Sequence, residues 1–377
     1  MKKYLLLLLV AHLSFGQIPA GYYNTAIGSG YTLKTQLKSI ITTGHVDQGY
    51  GALWTLYTQS AFRDNYYEND GSLLDLYSEN PSGADPYIYT STSQQCGNYS
   101  GEGDCYNREH IVPQSYFDDF AIDPMKNDPF HVFPSDGKVN GDRNNLGFGI
   151  VSSASYTSQN GSKRGPNTVG VGSYSNYSGT VFEPVDAFKG DVARAYFYFG
   201  TRYEDSMDDF YTAANSATCQ AKNMFDGSIN KVFSDDFILI LIKWHKEDPV
   251  SAKEIAQNNA IYAHQGNRNP YIDHPEYVCQ IWPTQCATVV ALSSDTFLAD
   301  NAVSIYPNPT NTNEVEVFTT ETITKLSLVN INGQIIKDIK NPVFNQNTYK
   351  LNNLPQGFYF LQISAENGSL TKKIIVN

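Results

Sequence analysis

YNREHIVP at residues 106–113 places a carboxylate, Glu109, directly beside an imidazole, His110, ahead of Pro113. A second polar cluster follows, PSDGKVNGDRNN at 134–145. Residues 128–133 before it alternate in the manner of a strand. Ser135 or Asp136 can cap a short helix, and Asn140, Arg143 and Asn144 then stand at i, i+3 and i+4 on one face. The segment therefore reads strand, long loop, strand, short helix.

These residue types suit metal-assisted hydrolysis of a phosphodiester. That reaction needs a base for the attacking water and positive charge for the phosphoryl and leaving oxygens. His110 titrates near neutrality and can serve as the base. Glu109 and Asn140 offer oxygen ligands of the kind Mg²⁺ or Ca²⁺ takes. Arg143 can present a guanidinium to phosphate. Neighbours on a strand point to opposite faces, so Glu109 and His110 can share one centre only where the strand ends or bends. Taken singly, each residue has a plainer reading. Glu-His is a common surface dipeptide, Asn140 a turn or helix residue, Arg143 a surface ion pair and His131 a structural histidine. The order and spacing of the set carry the signal.

Outward from this segment, residues 1–16 combine a basic start, a short apolar run and small residues before a cut after Gly16, as in a secretory signal peptide. The run is too short to span a bilayer, and no stable membrane insertion is expected. The 377-residue chain suits two domains. A net charge of −12 argues against a broad basic surface for duplex DNA, but not against phosphate bound locally through a cation and a few arginines. Five cysteines in an exported chain make disulfides plausible. Nearest-neighbour pairing joins Cys96 with Cys105 and Cys279 with Cys286 and leaves Cys219 over, although spacing alone does not fix connectivity. No CxxC or HExxH pattern points to zinc.

The chain divides into a region of helices and loops at 17–287, a linker at 288–301 and short alternating strands at 302–377. Helices are expected over 33–43 and over 188–203, the latter with an aromatic face. A third, over 235–245, is apolar nearly all round and so is expected at the centre, with a buried strand as the competing reading. Ser251 and Glu254 resemble a capping box opening a helix that Gly266 ends. Residues 152–179 read as surface loops and irregular hairpins. The tail reads as a small β-sandwich with an Asn332-Gly333 hairpin turn and no identifiable aromatic platform. The fold class is α+β.

At NREHIVPQS (107–115) and FHVFPSDGKVNGDRNN (130–145) the chain resembles the endonuclease I family of the His-Me finger (ββα-metal) group. The resemblance runs through most of 40–285, including FEP (182–184), KGDVAR (189–194), DPV (248–250) and QGNRNPYIDHP (265–275). It implies a nuclease domain built around a ββα-metal finger. It also implies a Mg²⁺-dependent (or Ca²⁺- or Mn²⁺-dependent), sequence-nonspecific endonuclease acting on DNA and often RNA, leaving 5′-phosphate ends. On that pattern His110 is the base, and Glu109 and Asn140 hold the metal. The loop 115–128 lacks the arginine some members carry, so Arg108, Arg143 or Arg268 would stand in, Arg143 first, with Asn144 a further substrate contact. Asn258 stands where an arginine is expected, and Asp273 and His274 are expected to tie a loop. YPNP (306–309), LPQGFYFLQI (354–363) and KKIIVN (372–377) resemble a type IX secretion C-terminal sorting domain. That implies a secreted or cell-surface protein, exported by that machinery and expected as a monomer. The competing reading is a surface adhesin or nucleic-acid-binding protein in which the same scaffold has lost activity.

Overall fold

Leu33, Leu37 and Ile41 recur at helical spacing and form the buried stripe of α1 (Gly30–Thr42), which starts earlier than the expected residue 33. The computed structural model describes residues 18–117, 123–170, 174–213, 215–293, 303–330, 334–365 and 368–377; the expected signal peptide lies outside them. After α2 (Ala52–Leu56), β1 (Tyr106–His110) pairs antiparallel with β2 (Val132–Asp136), with Tyr106 opposite Asp136 and His110 opposite Val132. The strand expected over 128–133 thus starts later and runs through Pro134. Proline is tolerated because the sheet has two strands, so one edge of β2 needs no ladder donor. α3 (Gly137–Arg143) follows directly, capped by Asp136, whose carboxylate accepts the Val139 N–H at 2.8 Å. Asn144 turns to φ +54° and ends the helix, so it does not continue the face that carries Asn140.

The stretch expected as loops and irregular hairpins holds the short hairpin of β3 (Tyr156–Thr157) and β4 (Lys163–Pro166), which joins β5 (Thr180–Glu183) in an antiparallel sheet of order β3-β4-β5. α4 (Lys189–Arg202) is buried from Gly190 to Arg202 on every side. It is the central helix, in place of the expected 235–245. The latter is α6 (Asp235–Glu247), a helix and not a strand, with Leu239 only half-buried. α4 tolerates full burial because its polar side chains meet partners. Lys253 pairs with Asp191 at 2.6 Å, and Arg194 grips both Glu254 oxygens at 2.5 and 2.8 Å. Thr201 meets the Tyr271 hydroxyl at 2.6 Å, and Arg202 donates to Thr42 at 2.9 Å. Between these helices lies α5 (Met207–Thr212).

α7 (Ala252–Gln265) opens on the expected capping box of Ser251 and Glu254 and closes on Gly266 at φ +84°. A Cβ there would also meet the Gly44 carbonyl oxygen at 2.5 Å, so this glycine is required on both counts. α8 (Pro270–Asp273), α9 (Tyr277–Ile281) and α10 (Pro283–Ser293) complete the unit. α10 carries helix into the first residues of the expected linker, and the chain divides between Val289 and Val290. Cys96 bonds Cys105, Cys279 bonds Cys286, and Cys219 is free and buried.

The second unit comprises β6 (Val303–Tyr306), β7 (Val315–Thr319), β8 (Ile323–Asn330), β9 (Ile335–Lys340), β10 (Thr348–Leu351), β11 (Gly357–Ala365) and β12 (Gly368–Val376). Two antiparallel sheets, β10-β7-β6 and β12-β11-β8-β9, share one apolar core. The Asn332-Gly333 turn lies outside the described residues. On β11, Tyr359, Leu361 and Ile363 point inward and Phe358 and Phe360 are exposed, so two aromatic rings do face solvent.

Asp128 fixes the loop between β1 and β2. Its Oδ2 accepts the hydroxyls of Tyr198 (2.8 Å) and Tyr203 (2.7 Å), and its Oδ1 accepts Gln265 Nε2 (2.9 Å). Burial raises this carboxyl, but His131, Gln265, His45 and Tyr203 outweigh burial and hold it below the usual range. A depressed folded pKa adds stability that is present above the unfolded value and is lost as pH falls through the folded one. Asp128→Asn should therefore cost about 3 kcal/mol in denaturant titrations at neutral pH. The difference from the parent should shrink on acidification below about pH 4. A gap that stays constant into acid would refute the ionised role.

Candidate active site

β1 ends at His110, which meets the condition for Glu109 and His110 to serve one centre. Both line an open cleft of about 440 Å³, together with Arg108, Asn140, Arg143 and Asn144. Arg268 is the one expected site residue that is not part of its lining.

His110 is buried, and its Nε2 lies 3.2 Å from the Lys126 carbonyl oxygen. A carbonyl only accepts, so Nε2 carries the proton and Nδ1 keeps its lone pair. Burial, then His131 and the guanidinium charges of Arg108 and Arg143, bring the imidazole down to about 3, so it is neutral around pH 7. His131 sits behind it, fully buried, with Nε2 on the Met125 carbonyl at 2.6 Å.

Glu109 is buried too. Its Oε1 accepts the Tyr77 hydroxyl at 2.9 Å and faces Arg143 Nη1 at 3.2 Å. Burial pushes the carboxyl up to about 7, against the pull of Arg143 and Tyr77. Both contacts fall on Oε1, which leaves Oε2 for a cation. Asn140 donates Nδ2 to Asn107 Oδ1 at 2.7 Å and to the Arg108 carbonyl at 3.3 Å. With the amide nitrogen committed, Oδ1 is the acceptor that remains. A carboxylate and a carboxamide oxygen are hard donors and fit Mg²⁺, Ca²⁺ or Mn²⁺. A cation held there would offset the cost of burying Glu109.

The arginines divide by what they already hold. Arg143 is 1% exposed and donates Nη1 to the His110 carbonyl (2.8 Å) and Nη2 to the Ile111 carbonyl (2.6 Å). Its terminal nitrogens are thus spent on the end of β1 and on Glu109, which does not suit the first-choice phosphate contact expected from sequence. Arg268 forms a two-point pair with Asp273 at 2.6 and 2.7 Å, the loop tie expected of Asp273. Asn258, where an arginine was expected, joins that tie through Asp273 at 3.0 Å. Arg108 differs. It is half-buried and stacks 3.3 Å from the Tyr50 ring centroid and 4.1 Å from that of Trp54. It donates to the Tyr50 carbonyl at 2.7 Å and has no carboxylate in ion-pair range among the described residues. Asn144 is exposed at the rim.

Sequence reasoning missed Tyr77, Asn107 and the Lys126 carbonyl. Asn107 lies inside the quoted segment, two residues before Glu109 on the same strand, and that spacing was an available signal. Tyr77 is thirty-two positions from Glu109 with no motif around it.

Residues 29–276 match the family model Endonuclease I, and residues 304–377 match that of a secretion system C-terminal sorting domain. The chain is 32% identical over 265 residues to an extracellular ribonuclease of Bacillus amyloliquefaciens, covering 69% of this chain and 78% of that protein. An extracellular ribonuclease of Bacillus subtilis is 32% identical over 266 residues, covering 70% and 78%. Endonuclease-1 of Buchnera aphidicola is 25% identical over 154 residues, covering 41% and 49%.

Arg143→Met leaves Glu109 buried without its cation and should cost about 3–5 kcal/mol in urea melts. Adding Glu109→Gln should recover part of that loss, because the stranded charge is gone. Strictly additive losses would show that the pair is not coupled.

Proposed function

Because the chain belongs to the endonuclease I family, we propose that it cleaves DNA and RNA internally, without sequence preference, at a one-metal centre, leaving 5′-phosphate ends. The observation that carries the reading is a neutral imidazole tied by Nε2 to a main-chain carbonyl, with Nδ1 free beside an oriented carboxylate and carboxamide. His110 Nδ1 takes the proton from the water that attacks phosphorus. Glu109 and Asn140 would hold the cation, Mg²⁺ in first place. When bound, it offsets charge building on the phosphoryl oxygens and steadies the departing 3′ oxygen. Tyr77 and Asn107 fix the two ligands.

Arg108, without a carboxylate in ion-pair range among the described residues, meets the phosphate, and its contacts with Tyr50 and Trp54 limit the freedom lost on doing so. Arg143 positions Glu109 and the His110 main chain. Asn144 is placed to donate to substrate from the rim. The net charge of −12 makes engagement dependent on the metal and on these few groups, and sensitive to salt. The ribonuclease names of the two Bacillus relatives support RNA among the substrates. The tail match supports delivery through the type IX machinery to the surface or medium, and the protein is taken to act as a monomer.

Plasmid and RNA digestion by the mature chain tests this. EDTA should abolish cleavage, and His110→Ala should lower it by about 10²–10⁴-fold. Cleavage that survives both would overturn the mechanism, and binding without cleavage by the parent would favour the adhesin reading. Arg108→Ala should lower kcat/KM by about 10²–10³-fold at saturating metal. A loss of only about twofold, against that yardstick, would return the phosphate role to another group.

A further inference from the structure

A second group of carboxylates lies outside the cleft. Asp64 and Glu79 are buried, Glu68 is exposed, and one carboxylate oxygen from each lies within 4.8 Å of the others. The decisive member is Glu79. It is 0% exposed, and among the described residues neither of its carboxylate oxygens has a hydrogen-bond partner. A buried carboxylate without partners is costly, and two more carboxylates at this range add repulsion. Among the described residues, no lysine, arginine or histidine forms an ion pair with Asp64, Glu68 or Glu79. A bound cation would offset that cost.

We propose that Asp64, Glu68 and Glu79 bind a structural divalent cation of the calcium type, separate from the metal of the cleft. The donors are all carboxylate oxygens, with neither nitrogen nor sulfur, which favours a hard cation over zinc or copper. Ca²⁺ suits them better than Mg²⁺, because it accepts carboxylates in irregular geometry and gives up water more readily. The cradle is already formed. Asp64 N–H donates to the Ser72 carbonyl at 2.8 Å and Gly71 N–H returns to the Asp64 carbonyl at 3.0 Å, closing the loop that carries Glu68. The Asp64 carboxylate is held by the N–H groups of Tyr66 (3.0 Å) and Tyr67 (2.9 Å). The cation would join this loop to the buried run 72–79. That run supports the ββα segment: Leu76 N–H donates to the Pro134 carbonyl at 3.1 Å, Asp75 accepts the Asp136 N–H at 3.0 Å, and Tyr77 holds Glu109. The site therefore braces the cleft from behind without touching substrate.

The test reads binding and melting, so its failure is distinct from failure of the nuclease reading. The mature chain is stripped with EDTA and dialysed against CaCl₂, alongside Asn140→Ala, which lacks a ligand of the cleft. The Asn140→Ala protein should still retain calcium, and its melting temperature should rise by about 5–10 °C at a hundredfold excess over the dissociation constant. In the Asn140→Ala background, Glu79→Gln should lose both the bound ion and the rise. Glu68→Gln, at an exposed position, should weaken binding at least about tenfold and carries the test if Glu79→Gln fails to fold. No calcium retained by Asn140→Ala up to millimolar concentration, or retention unchanged in Glu68→Gln, would overturn the proposal. So would a protein stabilised by mild acid and indifferent to calcium, because the carboxylates would then be sharing a proton.

Discussion

A carboxylate withdrawn from water must be met by charge and hydrogen bonds, and at Glu109 that demand organises the site. Arg143 answers it, and because a guanidinium has a planar fork of donors it answers more than one demand. The same side chain takes the His110 and Ile111 carbonyls where β1 stops pairing, the second of them shared with the Tyr196 hydroxyl. The final turn of α3 is thereby joined to the end of β1. Asn140, one turn earlier, is held where its Nδ2 reaches Asn107 on β1. One buried ion pair thus sets the relative placement of His110, Glu109 and Asn140. The consequence is that the terminal nitrogens of this arginine are already engaged inside the protein.

The proposed base, His110, depends on burial as well. An imidazole surrounded by Tyr50, Phe117 and His131, near two guanidinium groups, stays neutral. Its Lys126 contact selects the tautomer. That contact lies on the loop between the strands, and the loop is held by Asp128 against Tyr198 of α4 and Gln265 of α7. The central helix therefore reaches the chemistry through one carboxylate. Its own burial rests on partners from α1, α7 and α8, so the precision of the cleft is a property of the whole unit.

Legibility in the sequence followed the range of the interactions. The capping box of Ser251 and Glu254 and the stop at Gly266 were readable because both are made by residues within a few positions of one another. So was the order strand, loop, strand, helix, from period and turn chemistry. The start of β2 was misplaced because alternation over 128–133 imitates pairing, whereas the ladder forms where Tyr106 to His110 find partners. The centre was misassigned because the apolar run at 237–242 looks more buried than α4. The polar residues of α4 are neutralised by Lys253, Glu254, Tyr271 and Thr42, all distant in sequence.

The chain by itself determined which chemical groups could act. Glu109, His110 and Asn140 are recognisable because a strand end followed by a capped short helix brings them together by local geometry, and the resemblance to endonuclease I rests on that same run. Tertiary structure decided which groups are free to act. Among the described residues, Arg143 and Arg268 pair with carboxylates and Arg108 with none, Tyr77 supports Glu109, and Glu79 has no hydrogen-bond partner. Local spacing places an arginine on a helix face, but desolvation and long-range pairing decide whether its charge is spent inside the protein or left for a substrate.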